Sequence, residues 1–206
     1  MLLAPEDAAL FYRAWGALLT WVNEQRSIVP RFPRPTPGHP IDASLVTEIR
    51  KVVWAEDALR EQFLAEGAAD LAAEERELIA SWGHRVKSSF IVFRHLRKHS
   101  IFMSGGVYGV LGIYTPLEVL LPDVPMFVEA VLIPFRDMII TDGLIQSPGV
   151  HLSFGGGARR GFAAEYSAAL AASQIRTRLP CRAQPEPLAI SAPPRAPRKP
   201  SRRRTR

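Results

Sequence analysis

Apolar positions recur at helical spacing through the first eighty residues, and then the rhythm changes. Between residues 6 and 29, Phe11, Trp15, Leu18, Leu19 and Val22 form one stripe, which Pro30 ends. Residues 30–40, PRFPRPTPGHP, hold five prolines and predict a stiff, extended loop. Asp42 is placed to cap a second helix bearing Leu45, Ile49, Val52 and Val53. A third carries Leu59, Phe63 and Leu64 and breaks at Gly67. A fourth spans residues 74–82, with Leu78, Ile79 and Trp82 inward and acidic residues at its start, where the helix dipole favours them.

From Ser88 the runs shorten and fill with β-branched and aromatic residues. SSFIVFRHL, SIFMS, VYGVLGIY, FVEAVLIPF, DMIITDGLIQ and VHLSF read as six strands punctuated by Gly, Pro, Asp or Ser, with a short turn of helix allowed at residues 116–121. Phe135-Arg136-Asp137 reads as a tight hairpin turn, and Asp142-Gly143 as a second turn or a bulge. Six short strands in about 65 residues predict a small antiparallel sheet curled into a barrel or half-barrel. Residues 159–173 return to helix, with Phe162, Tyr166 and Leu170 four apart. The expected fold class is α+β: a helical N-terminal half (residues 1–87), a small β module with a closing helix (88–179), and a Pro/Arg-rich tail (180–206).

Charge alters that picture most at the tail. There Arg182, Arg195, Arg198, Lys199, Arg202, Arg203, Arg204 and Arg206 stand against Glu186, a net +7, while the whole chain carries +6. Residues 1–179 are therefore at −1. The tail has too little apolar surface to offset the entropy of ordering it, so disorder is expected there. Arginines of this density release counterions from RNA or DNA without reading sequence; the bland reading is a solubilising extension. The tail lacks the aliphatic or aromatic anchors of a membrane-surface segment, and the most apolar stretch, residues 126–145, is broken by Glu129, Arg136, Asp137 and Asp142. No membrane partner is expected. A lone cysteine, Cys181, and an N-terminus without the basic start of a secretory signal point to the cytoplasm.

Two basic spots lie within the body. FGGGARRGF puts three glycines and then Arg159 and Arg160 at the start of a helix. A phosphate loop would need a lysine and a hydroxyl after its last glycine, and a dinucleotide fingerprint a glycine where Arg160 stands; neither pattern is met. Arginines at the positive end of a helix are unfavourable without something to offset them: a carboxylate such as Asp137, Asp142 or Glu165, or simply solvent, is the bland reading, and a phosphate-bearing or acidic ligand the other. FRHLRKHSIF gathers Arg94, His95, Arg97, Lys98 and His99 around a hairpin end. Arg94, Arg97, Lys98, Arg159 and Arg160 are thus a candidate anion patch, and the tail residues Arg195, Arg198, Lys199, Arg202, Arg203, Arg204 and Arg206 a candidate nucleic-acid contact.

Catalytic candidates are few. Ser104 and Ser153 lack a nucleophile-elbow frame. Cys181 has no base held beside it. Glu118, Asp123 and Glu129 form no readable acid–base pair, and His84 reads as a boundary residue. His95 and His99 are four apart, but across a turn between strands that spacing does not build a metal site. No cofactor, metal or catalytic residue is expected.

In SWGHRV, FRHLRKHSIF, VYGVLGIYTPLE, VLIPFRDMIITDGL and FGGGARR, the body resembles a group of bacterial proteins with no established activity. The resemblance implies a genuine cytoplasmic module and supplies no site residues. The leading expectation is a non-enzymatic binding module contacting nucleic acid through its basic tail. The alternatives are a protein–protein adaptor with an incidental tail, and an enzyme whose site is not written in motifs.

Overall fold

A computed structural model describes residues 2–33, 42–147 and 154–180. The expected strand in VHLSF falls largely outside them, as do most of the proline-rich loop and the tail from residue 181, including Cys181 and all the tail arginines.

The helical half forms as the apolar rhythm demands. Helix α1 (Pro5–Arg26) starts with proline in its first turn and acidic Glu6 and Asp7 beside it. It ends at Ser27, whose N–H returns to the Asn23 carbonyl. The Asn23 side chain then holds the chain at Val29, accepting from its N–H and donating to its carbonyl. Helix α2 (Ala43–Val53) is capped by Asp42, which accepts from the Ser44 N–H at 2.8 Å. Helix α3 (Asp57–Gln62) continues into a wider turn, Phe63–Gly67, and α4 (Ala73–Ser81) into a tight one, Trp82–His84. Their stripes converge on stacked and edge-on rings. Trp15 lies 5.2 Å from Trp54 and 5.7 Å from Trp82, and Phe11 lies 6.0 Å from Trp82. All four are buried.

The strands are β1 (Val86–His95), β2 (Ser100–Met103), β3 (Val107–Val110), β4 (Met126–Phe135), β5 (Met138–Gln146) and β6 (Ile175–Arg176). The one-turn helix α5 (Leu117–Leu120) precedes β4, and α6 (Gly156–Ala171) precedes β6. The sheet order is β5-β4-β1-β2-β3-β6. Two expectations are corrected here. First, the sheet is mixed, because β6 pairs with β3 in parallel. Second, the sheet is not closed into a barrel. Its two sides meet at one bridge, Leu111 with Ile140, where the Leu111 N–H donates to the Ile139 carbonyl at 2.9 Å. The next residue, Gly112, pairs with Leu2 instead, so no closing ladder follows.

Alternation along the strands gives the sheet two apolar faces. Phe90, Val92, Phe102, Tyr108, Val110, Val128, Ala130, Leu132 and Ile139 share one cluster, capped by Leu117 and Leu121 from the α5 region and by Leu179. On the other face the cover changes along the sheet. Val131, Ile133, Phe135 and Ile140 of β4 and β5 join the aromatic core of the helical layer. Ile91, Phe93, Ile101, Met103 and Val107 of β1–β3 pack with Phe162, Tyr166 and Ala169 of α6.

Candidate functional site

A bulge in β1 positions the first of the basic residues. Val92 pairs with Phe102 and Arg94 with Ile101, so two β1 residues stand opposite one step of β2. Phe93 and Arg94 therefore both meet α6. The Phe93 ring lies 5.7 Å from Tyr166, and the Arg94 guanidinium lies 5.2 Å from the Phe93 ring and 5.4 Å from the Tyr166 ring. Cations over aromatic faces are held in place without being neutralised.

The next residue shows the other result of the bulge. One ring nitrogen of His95, Nδ1, lies 2.7 Å from the Ser100 hydroxyl, and the other, Nε2, lies 2.8 Å from the Leu121 carbonyl. The Leu121 carbonyl can only accept, so Nε2 donates to it, while Nδ1 shares a hydrogen bond with the Ser100 hydroxyl. His95 thus fastens β1 to the end of α5. His99 packs its ring on Gly109, where a Cβ would stand 2.8 Å from it. Burial, and then the neighbouring Lys98, hold the His99 pKa below its ordinary value. Between these histidines Arg97 and Lys98 stand exposed in the β1–β2 turn, which the Leu96 N–H closes onto the His99 carbonyl.

Helix α6 brings the second basic spot to the same module. Tyr166 meets β1 at Phe93, while Ala168 and Ala169 stand beside Gly105 and Gly106 of the β2–β3 turn. Moving back along α6 therefore leads toward the β1–β2 turn, and Arg159 and Arg160 lie in that direction, about 10 Å from Tyr166 at helical rise. Phe154 packs edge-on against Phe162 and fixes the approach to the helix. Both arginines are exposed, and Arg159 Nε donates to the Phe154 carbonyl at 3.2 Å.

The carboxylates considered as partners for these arginines are differently engaged. Asp142 is buried against α2: Arg50 donates to it through both Nε and Nη2, Trp54 Nε1 through a 2.6 Å bond, and the Leu144 N–H at 3.3 Å. Burial outweighs these donors and raises its pKa above the ordinary carboxylate value. Asp137 lies 3.7 Å from Arg178. Among the described residues, neither Arg159 nor Arg160 has an ion-pair partner.

The fold thus assembles charges that the linear sequence scatters. Residues 86–110 hold four cations and no carboxylate; residues 154–179 hold four cations and Glu165 alone. Paired through β3 and β6 and packed through α6, these segments carry a net +7, so the remainder of residues 1–179 carries −8. Lys87, Arg176 and Arg178 belong to this set and were missed by motif reading, since no local pattern marks them. The buried Arg50–Asp142 pair was also missed; its partners are 92 residues apart.

Of the residues weighed for catalysis, Ser153 and Cys181 lie outside the described residues, and the others are placed separately. Ser104 shares a 2.7 Å hydrogen bond with Ser88 Oγ, Glu129 stands exposed opposite Ser89, and His84 ends the turn after α4. Among the described residues no group of histidine, cysteine, aspartate and glutamate is arranged to hold a metal ion. Comparison with protein-family models, curated proteins and solved structures finds no match to this chain.

Proposed function

We propose that this chain is a non-enzymatic binding module that contacts nucleic acid electrostatically, through the β1–β3/α6 face together with the Pro/Arg-rich tail. The carrying observation is the net +7 on that module with a single carboxylate, set against −8 on the rest of the body. Solvated surface charge is ordinarily mixed in sign, and segregation of this size costs self-repulsion unless a polyanion offsets it. The tail adds a further +7 beyond residue 179. This reading puts the protein in the cytoplasm; no helix among the described residues is long and apolar enough to cross a membrane.

The test is an anisotropy titration of the intact chain against duplex and single-stranded DNA over several salt concentrations. Each phosphate neutralised contributes about 0.7–0.9 to the slope of log affinity against log salt. Engaging most of the tail cations gives a slope of about −5 to −7. Deleting residues 180–206 removes most of it and leaves the smaller share of the face. No binding at low salt overturns the reading.

One observation favours a protein adaptor as the second reading. Tyr12 and Tyr114 stack at 5.2 Å on the surface, and Tyr114, Val119 and Leu120 are each more than half exposed. If nucleic acid does not bind, this apolar patch is the surface to follow.

A further inference from the structure

At the far end of α6 from Arg159 and Arg160, the β2–β3 turn, the end of the helix and β6 border an open cleft of about 590 Å³. Ligand sites commonly fall within this size range. Small residues leave the space, and Glu165, Ser173, Gln174 and Arg176 bring polar groups to its walls. The geometry points to a site for one nucleotide unit, a phosphate ester bearing a base with an exocyclic amino group.

The phosphate end is set by Arg176 and the glycine turn. The Arg176 guanidinium sits 5.6 Å from the centre of the Tyr108 ring, and its Nη1 donates to the Tyr108 hydroxyl at 3.4 Å. That contact orients the fork and leaves its other donors for phosphate oxygens. In the β2–β3 turn that also lines the cleft, Gly105 adopts φ 57°, a left-handed conformation suited to glycine. The N–H groups of Gly105 and Gly106 have no hydrogen-bond acceptor among the described residues. Successive free amides in such a turn form a concave donor for anions.

Glu165 and Gln174 also line the cleft and are the groups assigned to the base. A carboxylate on the wall disfavours a bare inorganic anion and accepts from an amino group, as carboxylates do from cytosine N4. Adenine and cytosine offer such a donor and uracil does not. The site thus deepens the nucleic-acid reading and rests on it where the nucleotide belongs to a strand; a free mononucleotide is the other source of the same chemistry.

The intact chain is titrated calorimetrically at low salt with AMP, CMP, UMP and inorganic phosphate. AMP and CMP are expected to bind at least fivefold more tightly than UMP. Glu165→Gln brings the three within about twofold, and Arg176→Gln weakens all of them tenfold or more. Gly106→Ala is the steric check. Its Cβ would stand 3.5 Å from the Tyr108 hydroxyl, an ordinary contact, so the variant folds while its methyl narrows the cleft and weakens AMP severalfold. Oligo(A) and oligo(U) separate the sources. A preference for oligo(A) that Glu165→Gln abolishes assigns the site to strands; AMP binding without oligonucleotide binding assigns it to free nucleotides and sinks the strand reading alone. Absence of AMP and CMP binding at millimolar concentration overturns the cleft assignment, even if salt-dependent DNA binding persists. So does phosphate binding equal to AMP that Glu165→Gln leaves unchanged.

Discussion

The helix-covered β4–β5 side of the sheet and its β1–β3 side under α6 use arginine in opposite ways. On the first, most arginines are paired with carboxylates. Arg50 is buried on Asp142, Arg13 bonds Glu75 at 2.8 Å, Arg60 and Arg85 share Asp57, and Arg136 meets Asp7 and Glu74. On the second, Arg94 lies on aromatic rings, Arg176 on Tyr108, and Arg159 on a backbone carbonyl, and among the described residues no carboxylate pairs with any of them. The first side packs on the large aromatic core of the helical layer, the second on a smaller cluster around Ile101, Met103, Val107 and Tyr166. The difference teaches that one set of cations is tied into the fold by carboxylates and the other is held without being neutralised among the described residues.

The largest test of that division is Asp142→Ala. It strands the Arg50 guanidinium in a site that excludes water, and removing one partner of a buried pair costs about 3–5 kcal/mol. The paired change Arg50→Met with Asp142→Leu recovers most of the loss, because neither charge then remains to be buried. On the other side, Arg94→Ala costs about 0.5–1 kcal/mol, the value of an exposed cation over a ring. Urea denaturation of the three variants checks this. Equal costs for Asp142→Ala and Arg94→Ala would erase the distinction.

The helical stripes, the change of rhythm near Ser88 and the Arg136-Asp137 turn were legible because each is a local pattern, read from spacing or from turn chemistry. Arg136 does adopt the left-handed φ of 51° between β4 and β5. Asp142-Gly143 was legible as an irregularity: β4 steps from Ala130 to Leu132 while β5 steps from Ile145 to Thr141, with Gly143 at φ 89°. Sheet closure was not legible. It turns on whether one strand continues past Leu111, and that is decided by Gly112 pairing with the N-terminal Leu2. The two-residue β6 is too short to carry a period. The two basic clusters were legible from composition alone, but the position of Arg94 under α6 depends on a β1 bulge, and no residue type announces that bulge.

The second test acts on the free cations. Replacing Arg94, Arg97, Lys98, Arg159 and Arg160 together by alanine is expected to lower the salt slope by about 3.5–4.5 if each engages a phosphate. Replacing Arg26 and Lys51, exposed cations already paired with Glu56 and Glu48 at 2.5 and 2.6 Å, changes the slope by less than one. Filter-binding titrations at four salt concentrations resolve the two. A matching drop from both replacements would mean that bulk charge, rather than the β1–β3/α6 face, carries the binding.

The smallest effect separates the two sides by pH. In the acidic half, the hydrogen bond from Arg13 holds Glu75 below its ordinary pKa of 4.5, and the Ala72 N–H adds to it. Its folded form gives up its proton more readily than the unfolded chain, so its contribution is complete above about pH 4.5 and is lost as pH falls through the depressed value. In the basic half, burial and then Lys98 hold His99 below 6.5. The neutral ring is the favoured folded form, so its contribution is complete above pH 6.5 and starts to fall nearly two units earlier on acidification. Glu75→Gln should therefore lower stability by about 0.5–1.5 kcal/mol at neutral pH, with the deficit closing only below pH 4.5. His99→Gln should flatten the stability profile just below pH 6.5 and leave the steeper acid limb in place. Denaturation midpoints at half-unit pH steps give both profiles. An unchanged slope just below pH 6.5 in His99→Gln would show that the turn carrying Arg97 and Lys98 does not sense protonation of its own histidine.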